Sequence, residues 1–302
     1  MTSPYHLGGA AGSQQSKTRR TGILNGNKAL AGNQPHGRRV IAVTSGKGGV
    51  GKTNVVANLS VSLAELGKKV VVLDADFGLA NLDVLLGLTP RYHLGHVLFG
   101  DRSLEEVMLP GPKGIRIIPA SSGLQRMSEL TLAQRNQLVE SFTNLDTDTD
   151  YFIIDTAAGI SRNVIHFLMA AQEIIVVSAP EPTAIVDAYA VIKIILAEDR
   201  KKQIQVLINS VERAQDAQDV FCQINSVVKR FLNREVDYFG HIEWDLHVPK
   251  AVRTQTVVTE RYPEAAASRC FRDLAQRMVL RETPEGSYER LVWEKLLNDW
   301  IN

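Results

Sequence analysis

The sequence predicts a doubly wound α/β fold, with a mostly parallel sheet and helices on both faces, and three observations predict it. Short β-branched apolar runs alternate with segments of helix length from Val40 onward, an alternation that implies parallel strands joined by helical crossovers. The runs are continuously apolar, so each strand is expected to be buried on both faces. The first run ends in a glycine-rich loop that opens a helix, the place where such sheets hold phosphate groups.

The first strand is expected over 40–44, where Val40-Ile41-Ala42-Val43 is apolar without interruption. A helix follows over 52–66, and Val70-Val71-Val72-Leu73 marks a second strand over 69–73. Further strands are expected at 115–119, 151–154, 173–178, 205–209 and 236–241. Helices are expected at 132–145, 162–171, 183–199, 216–232 and 263–280. The apolar stretch 184–197 is interrupted by Asp187 and Lys193, so it reads as a buried or amphipathic helix and not as a membrane span. Thr283-Pro284-Glu285-Gly286 breaks the chain before a last short helix over 288–301. There Trp293, Leu296, Leu297 and Trp300 share one face. That face leaves two readings open: packing on the chain's own domain, or docking on a membrane when two tails act together.

The chain has 302 residues with 34 basic and 33 acidic side chains, a net charge of +1, and 44% hydrophobic residues. This composition excludes a wholly disordered chain, and the balance of charge gives no overall basic field for nucleic acid. Cys222 and Cys270 stand far apart in sequence, so no disulfide framework or CxxC site is indicated and a reducing cytoplasm is expected. Nothing near Met1 resembles a secretion signal. Residues 1 to 39 hold six basic residues (Lys17, Arg19, Arg20, Lys28, Arg38 and Arg39), seven glycines and no acid. The rest of the chain is left with 28 basic against 33 acidic residues. The expected organisation is a flexible basic arm over 1–38, an α/β domain over 39–282 and an amphipathic helix over 283–302.

Gly46-Lys47-Gly48-Gly49-Val50-Gly51-Lys52-Thr53 satisfies GxxxxGK[ST] between a strand and a helix, the context that the pattern requires. Backbone amides must curl around phosphate oxygens there without Cβ clashes, and the helix N-terminus adds its positive dipole end. Lys52 is expected to reach the β- and γ-phosphates of a nucleotide, and Thr53 to place its hydroxyl on Mg²⁺. Asp74 and Asp76 follow the second strand, and Asp155 ends the apolar run Ile153-Ile154 on the magnesium side of the site. Asp83, further on, reads equally well as a helix cap.

The segment KGGVGKT, with its additional Lys47, resembles the deviant phosphate loop of the MinD/ParA class of ATPases. The resemblance spans about residues 39 to 280 and implies ATP and ADP as ligands, Mg²⁺ as cofactor, and slow ATP hydrolysis. It also implies an ATP-sandwiched homodimer in which Lys47 contacts the partner's nucleotide. By the same resemblance Asp76 positions the attacking water, Asp74 organises the first switch and the Mg²⁺ shell, and Asp155 holds Mg²⁺ mainly through water. Lys47, Lys52 and Asp76 are thus the expected catalytic residues. Gly46 through Thr53 with Asn209 form the expected nucleotide site, with Asn209 bonding the adenine, and Thr53, Asp74 and Asp155 are the expected metal residues. The segment from His241 to Arg253 is similar to the family's segment beside the base. It departs from the pattern by placing Glu243 where a proline is usual and following it with Trp244, which reads as core; Arg253 reads as a solvated helix face or a partner contact.

Within the class, the run from Asp76 to Leu88, the Asp155-Thr156-Ala157-Ala158-Gly159 segment and the runs from Glu181 and Lys250 look most like the flagellar-number regulators of the FlhG/FleN group. That resemblance implies antagonism of a flagellar master transcription activator and work with the SRP-type GTPase FlhF. It places the protein in the cytoplasm, with peripheral contact at the inner face of the cell membrane or the cell pole. A MinD-like division-site or ParA-like partitioning ATPase is the alternative. Gln14-Gln15-Ser16-Lys17-Thr18-Arg19-Arg20 keeps at best the glutamine and final arginine of the group's GTPase-activating segment, which leaves that activity open.

Overall fold

The computed structural model describes residues 38–78, 80–98, 101–119, 140–142, 145 and 149–281. The expected basic arm, most of the expected helix 132–145 and the C-terminal helix with Trp293, Leu296, Leu297 and Trp300 lie outside the described residues. An eight-stranded sheet carries the fold, in the order β3-β4-β2-β5-β1-β6-β7-β8. The strands are β1 (Arg39–Thr44), β2 (Val70–Ala75), β3 (Leu109–Pro110), β4 (Arg116–Ile118), β5 (Tyr151–Thr156), β6 (Glu173–Ser178), β7 (Gln203–Val211) and β8 (Asp237–Glu243). Every pairing is parallel except that of β3 with β4. The doubly wound parallel architecture expected from the alternation of apolar runs is therefore present.

Alternation along each strand feeds two cores. Val40 and Ala42 of β1 join one apolar cluster with the helices Arg162–Ala170, Pro182–Glu198 and Ala214–Leu232. Ile41 and Val43 join the other, with the helices Lys52–Glu65 and Ala266–Leu280. The helix Pro182–Glu198 buries Ala184, Ala188, Val191, Ile192, Ile195 and Leu196, a helical stripe that leaves Lys193 in solvent. Among the described residues no helix is long and apolar enough to cross a membrane.

β1 sits between β5 and β6, so the order of strands changes direction about it. Ligands of open α/β sheets lie outside the carboxyl ends of strands at such a point. The register there has a chemical consequence, because Asp74 of β2 stands directly beside Asp155 of β5.

Arg38, the one described residue of the expected arm, is buried at 3% exposure, as is Arg39 at 4%. Arg38 donates to the carbonyls of Phe142 and Leu145. Arg39 opens β1, forms a two-pronged bond to Glu173 at 2.8 Å and 2.8 Å, and donates to the Met278 carbonyl at 2.7 Å. Gln205 donates to the same carboxylate at 3.0 Å, and the Tyr151 hydroxyl donates to the Met278 carbonyl at 3.2 Å. Arg39 ties the start of the sheet to the last described helix through Met278, and Arg38 ties it to Phe142 and Leu145, which a count of basic residues does not reveal. Removing one partner of a buried ion pair leaves the other charge uncompensated, at a cost of about 3–5 kcal/mol. Arg39→Ala is expected to lose that much stability, read as a lower urea midpoint with an unchanged slope; a midpoint within error of the parent would show that the buried pair with Glu173 does not stabilise the sheet.

Candidate functional site

The loop between β1 and the helix Lys52–Glu65 is shaped by glycine. Gly49 and Gly51 have φ of +84° and +88°, the left-handed region that favours glycine. A Cβ on Gly46 would lie 2.2 Å from the Asp187 carbonyl oxygen, so the loop passes against the helix Pro182–Glu198 at a distance only glycine permits. The helix Lys52–Glu65 begins with neither a capping side chain nor an acid in its first turn. Its N-terminal amides and dipole are thus available to an anion.

Lys52 extends from this helix to Asp155, Nζ to Oδ1 at 2.7 Å, with both side chains buried. The Thr53 side chain also bonds the Asp155 carboxylate. Asp74 accepts from the backbone amides of Asp76 at 3.1 Å and Leu82 at 3.3 Å. Asp76 is half-buried and accepts from the Gly78 amide at 3.3 Å. Burial pushes the Asp155 carboxyl up from its ordinary value, and Lys52 and Thr53 work against that rise. Burial first, and then the neighbouring Asp155, push Asp74 up to about 7, against the pull of its two amide donors. The oxygen donors of Thr53, Asp74 and Asp155 gathered beside the loop are the donor type a hard divalent cation requires.

Lys47 lies on the exposed rim, its Nζ 2.7 Å from Glu181 and 3.2 Å from the Thr183 hydroxyl. Glu181 immediately precedes the helix Pro182–Glu198, and the sequence alone assigns it no role. An acid just before a proline-led helix, opposite the phosphate loop, was the signal available for it.

On the other side of the loop a cleft of about 250 Å³ is bordered by Lys47, Gly51, Asn209, Glu243 and Trp244. Asn209 donates its Nδ2 to the Val50 carbonyl at 2.8 Å, so it fastens the loop while lining the cleft. Trp244 corrects the expectation that it is core: 63% of it is exposed at the cleft mouth. Its backbone amide donates to the Val211 carbonyl at 2.7 Å, which fixes the chain while the ring stands out. Arg253 ends the helix His247–Arg253 in solvent, away from these bonds. Asp83 does not cap the helix Leu82–Leu85, whose N-cap is Asn81; it lies in the first turn and accepts from the Val84 amide at 2.8 Å.

A family model described as "AAA domain" matches residues 38–209. Antiactivator FleN of Pseudomonas aeruginosa is 44% identical over 260 residues, covering 85% of this chain and 93% of its own length. The flagellum site-determining protein YlxH of Helicobacter pylori is 34% identical over 242 residues, covering 80% of this chain and 82% of its own. Among solved structures, the septum site-determining protein MinD of Pyrococcus horikoshii complexed with Mg-ADP superposes with a TM-score of 0.64 at 25% identity. That match covers 80% of this chain and 96% of the other.

The Asp74 shift sets a pH dependence with a definite sign. A carboxyl raised from 3.8 to about 7 contributes stability that is fully present below 3.8 and lost as pH rises to about 7. Asp74→Asn carries no such charge. Its melting temperature relative to the parent, both free of nucleotide, is therefore expected to rise as pH increases from about 4 to about 7 and to level off above. A difference that is flat in pH would place the Asp74 carboxyl in its ordinary range.

Proposed function

This chain belongs to the MinD/ParA-type P-loop ATPases, in the group that contains FleN, and we propose that it is an ATP-dependent dimerising switch that sets the number and placement of flagella. The observation that carries the reading is Lys47, a second loop lysine on the exposed rim beside a complete phosphate cradle, held by an acid that solvent reaches. A surface ion pair of this kind is worth at most about 1 kcal/mol, so Lys47 leaves Glu181 readily. Two nucleotides facing each other across an interface need additional cations to offset their repulsion, and Lys47 supplies one to the partner's nucleotide.

The chain hydrolyses ATP to ADP and phosphate. The loop amides and the helix N-terminus bind the phosphates, and Lys52 moves from Asp155 to the phosphate oxygens. Thr53, Asp155 and Asp74 would hold Mg²⁺, which, when bound, neutralises charge on the phosphate oxygens. Asp76 orients the attacking water, acting along the reaction coordinate and not on ground-state affinity. Asn209 bonds the base after exchanging its Val50 contact or through its remaining amide oxygen. The dimer antagonises a flagellar master transcription activator and works with the SRP-type GTPase FlhF, in the cytoplasm and at the inner face of the membrane or cell pole. The antiactivator name and 44% identity of the Pseudomonas relative, together with the flagellar name of the Helicobacter one, support this part.

Three variants separate the steps. Lys52→Ala is expected to weaken ATP binding roughly 10- to 100-fold, the worth of a charge-assisted bond. Asp76→Ala is expected to bind ATP with parental affinity, stop turning it over and accumulate as a dimer in light scattering. Lys47→Ala is expected to bind ATP and stay monomeric. A persistent monomer of Asp76→Ala with ATP bound would overturn the switch, and parental turnover by that variant would overturn the role of Asp76.

A further inference from the structure

Outside the phosphate site, among the described residues, one group of ligating side chains stands together: His241 and Glu243 of β8 and Cys270 of the helix Ala266–Leu280. One donor atom from each lies within 4.8 Å of the others, and all three residues are half-buried. The fold brings them together by two devices. The register of β7 with β8 shifts between Val206 and Leu207, so β8 bulges before His241. Beyond the bulge, His241 and Glu243 share a face by strand alternation. The second device is Gly240, at φ +144°, where a Cβ would lie 2.7 Å from both Leu274 and Arg277. The close approach it allows brings the helix, and Cys270 with it, against the strand. The Glu243 backbone amide bonds the Cys270 sulfur, and the Tyr238 hydroxyl holds Nδ1 of His241 at 3.0 Å.

We propose that His241, Glu243 and Cys270 form a binding site for a divalent transition metal of the zinc class, on the edge strand beside the nucleotide cleft. Imidazole, carboxylate and thiol together select such an ion, because magnesium and calcium take oxygen donors and make no use of sulfur. Ligand atoms of a tetrahedral site with bonds of about 2.0–2.3 Å stand about 3.3–3.8 Å apart. Side-chain rotation of about 1 Å closes this group to that geometry, with water as the fourth ligand. The thiol gives its proton to solvent as the sulfur–metal bond forms, with no change of oxidation state. Tyr238 fixes the orientation of the imidazole, the part that an outer hydrogen bond plays at metal sites. Glu243 also borders the nucleotide cleft, so an ion held here becomes part of the cleft wall.

Cobalt(II) added to the nucleotide-free protein is the test, since a thiolate–cobalt bond gives a near-ultraviolet charge-transfer band that the oxygen donors around Asp74 and Asp155 cannot give. The parent and Cys222→Ser, which removes the exposed second cysteine, are expected to show the band, and Cys270→Ser to lack it. Tyr238→Phe is expected to weaken cobalt binding about 10-fold or more. Absence of the band in the parent, its survival in Cys270→Ser, or parental affinity in Tyr238→Phe would overturn the site. A measurement that leaves all three ligands in place stands beside these: in Cys222→Ser, Zn²⁺ is expected to slow modification of Cys270 by a thiol reagent and a chelator to restore it. A rate indifferent to Zn²⁺ would equally overturn the site.

Discussion

Two carboxylates buried side by side are the constraint around which this protein is arranged. Parallel pairing of β2 with β5 places Asp74 and Asp155 in register at the carboxyl ends of neighbouring strands, and strands in a sheet stand only about 4.8 Å apart. Two like charges at that distance in a dry environment do not both ionise without a cation. One buried cation, Lys52, meets Asp155, and Asp74 is left to rise to about 7. The phosphate loop delivers Lys52, so the shape of the loop and the charge state of the strand ends are one problem. In the proposed cycle, bound phosphate would compete with Asp155 for Lys52, and Asp155 and Asp74 would then be free to hold a divalent cation.

The same logic connects the buried site to the rim. Lys47 and Lys52 sit five positions apart on one loop, yet one is exposed and the other buried, each against its own acid. The exposed pair is weak and screened by solvent, whereas the buried pair is costly to leave half-broken. A nucleotide that draws Lys52 from Asp155 must itself provide the compensating charge, and the loop can respond at the rim at little cost. In the proposed dimer, that difference in strength would let one ligand set the inner site and a second protomer read the outer one.

Much of this was legible in the sequence because the signals were local. The loop 46–53 follows an apolar strand directly, and β6 (Glu173–Ser178) begins and ends where its apolar run does. β7 runs over Gln203–Val211, beyond the expected 205–209, because Ile204 and Val211 are also buried in it while Asn209 and Ser210 interrupt the apolar run. The short helices Leu82–Leu85, Leu94–Leu98 and Leu104–Val107 are too brief for periodicity to register, and a capping box of Ser103 with Glu106 sets the last of them. Arg38 read as arm because charge alone does not say that the carbonyls of Phe142 and Leu145, 104 and 107 positions on, wait for it. Trp244 read as core because a large aromatic usually is, and only the turn after β8 stands it in solvent. His241, Glu243 and Cys270 were invisible as a group, since a strand bulge and the close approach at Gly240 bring the sequence-distant Cys270 against the strand.

In the nucleotide-free protein Lys52 and Asp155 offset each other's buried charge. A double-mutant cycle on the unfolding free energy, with Lys52→Met, Asp155→Asn and the combined variant, measures that directly. Each single change leaves one buried group without its partner and is expected to destabilise. The double change is expected to cost less than the sum of the two by about 1–3 kcal/mol. Additivity of the two changes within about 0.5 kcal/mol would mean that the two groups do not depend on each other, and the account would be wrong at its foundation.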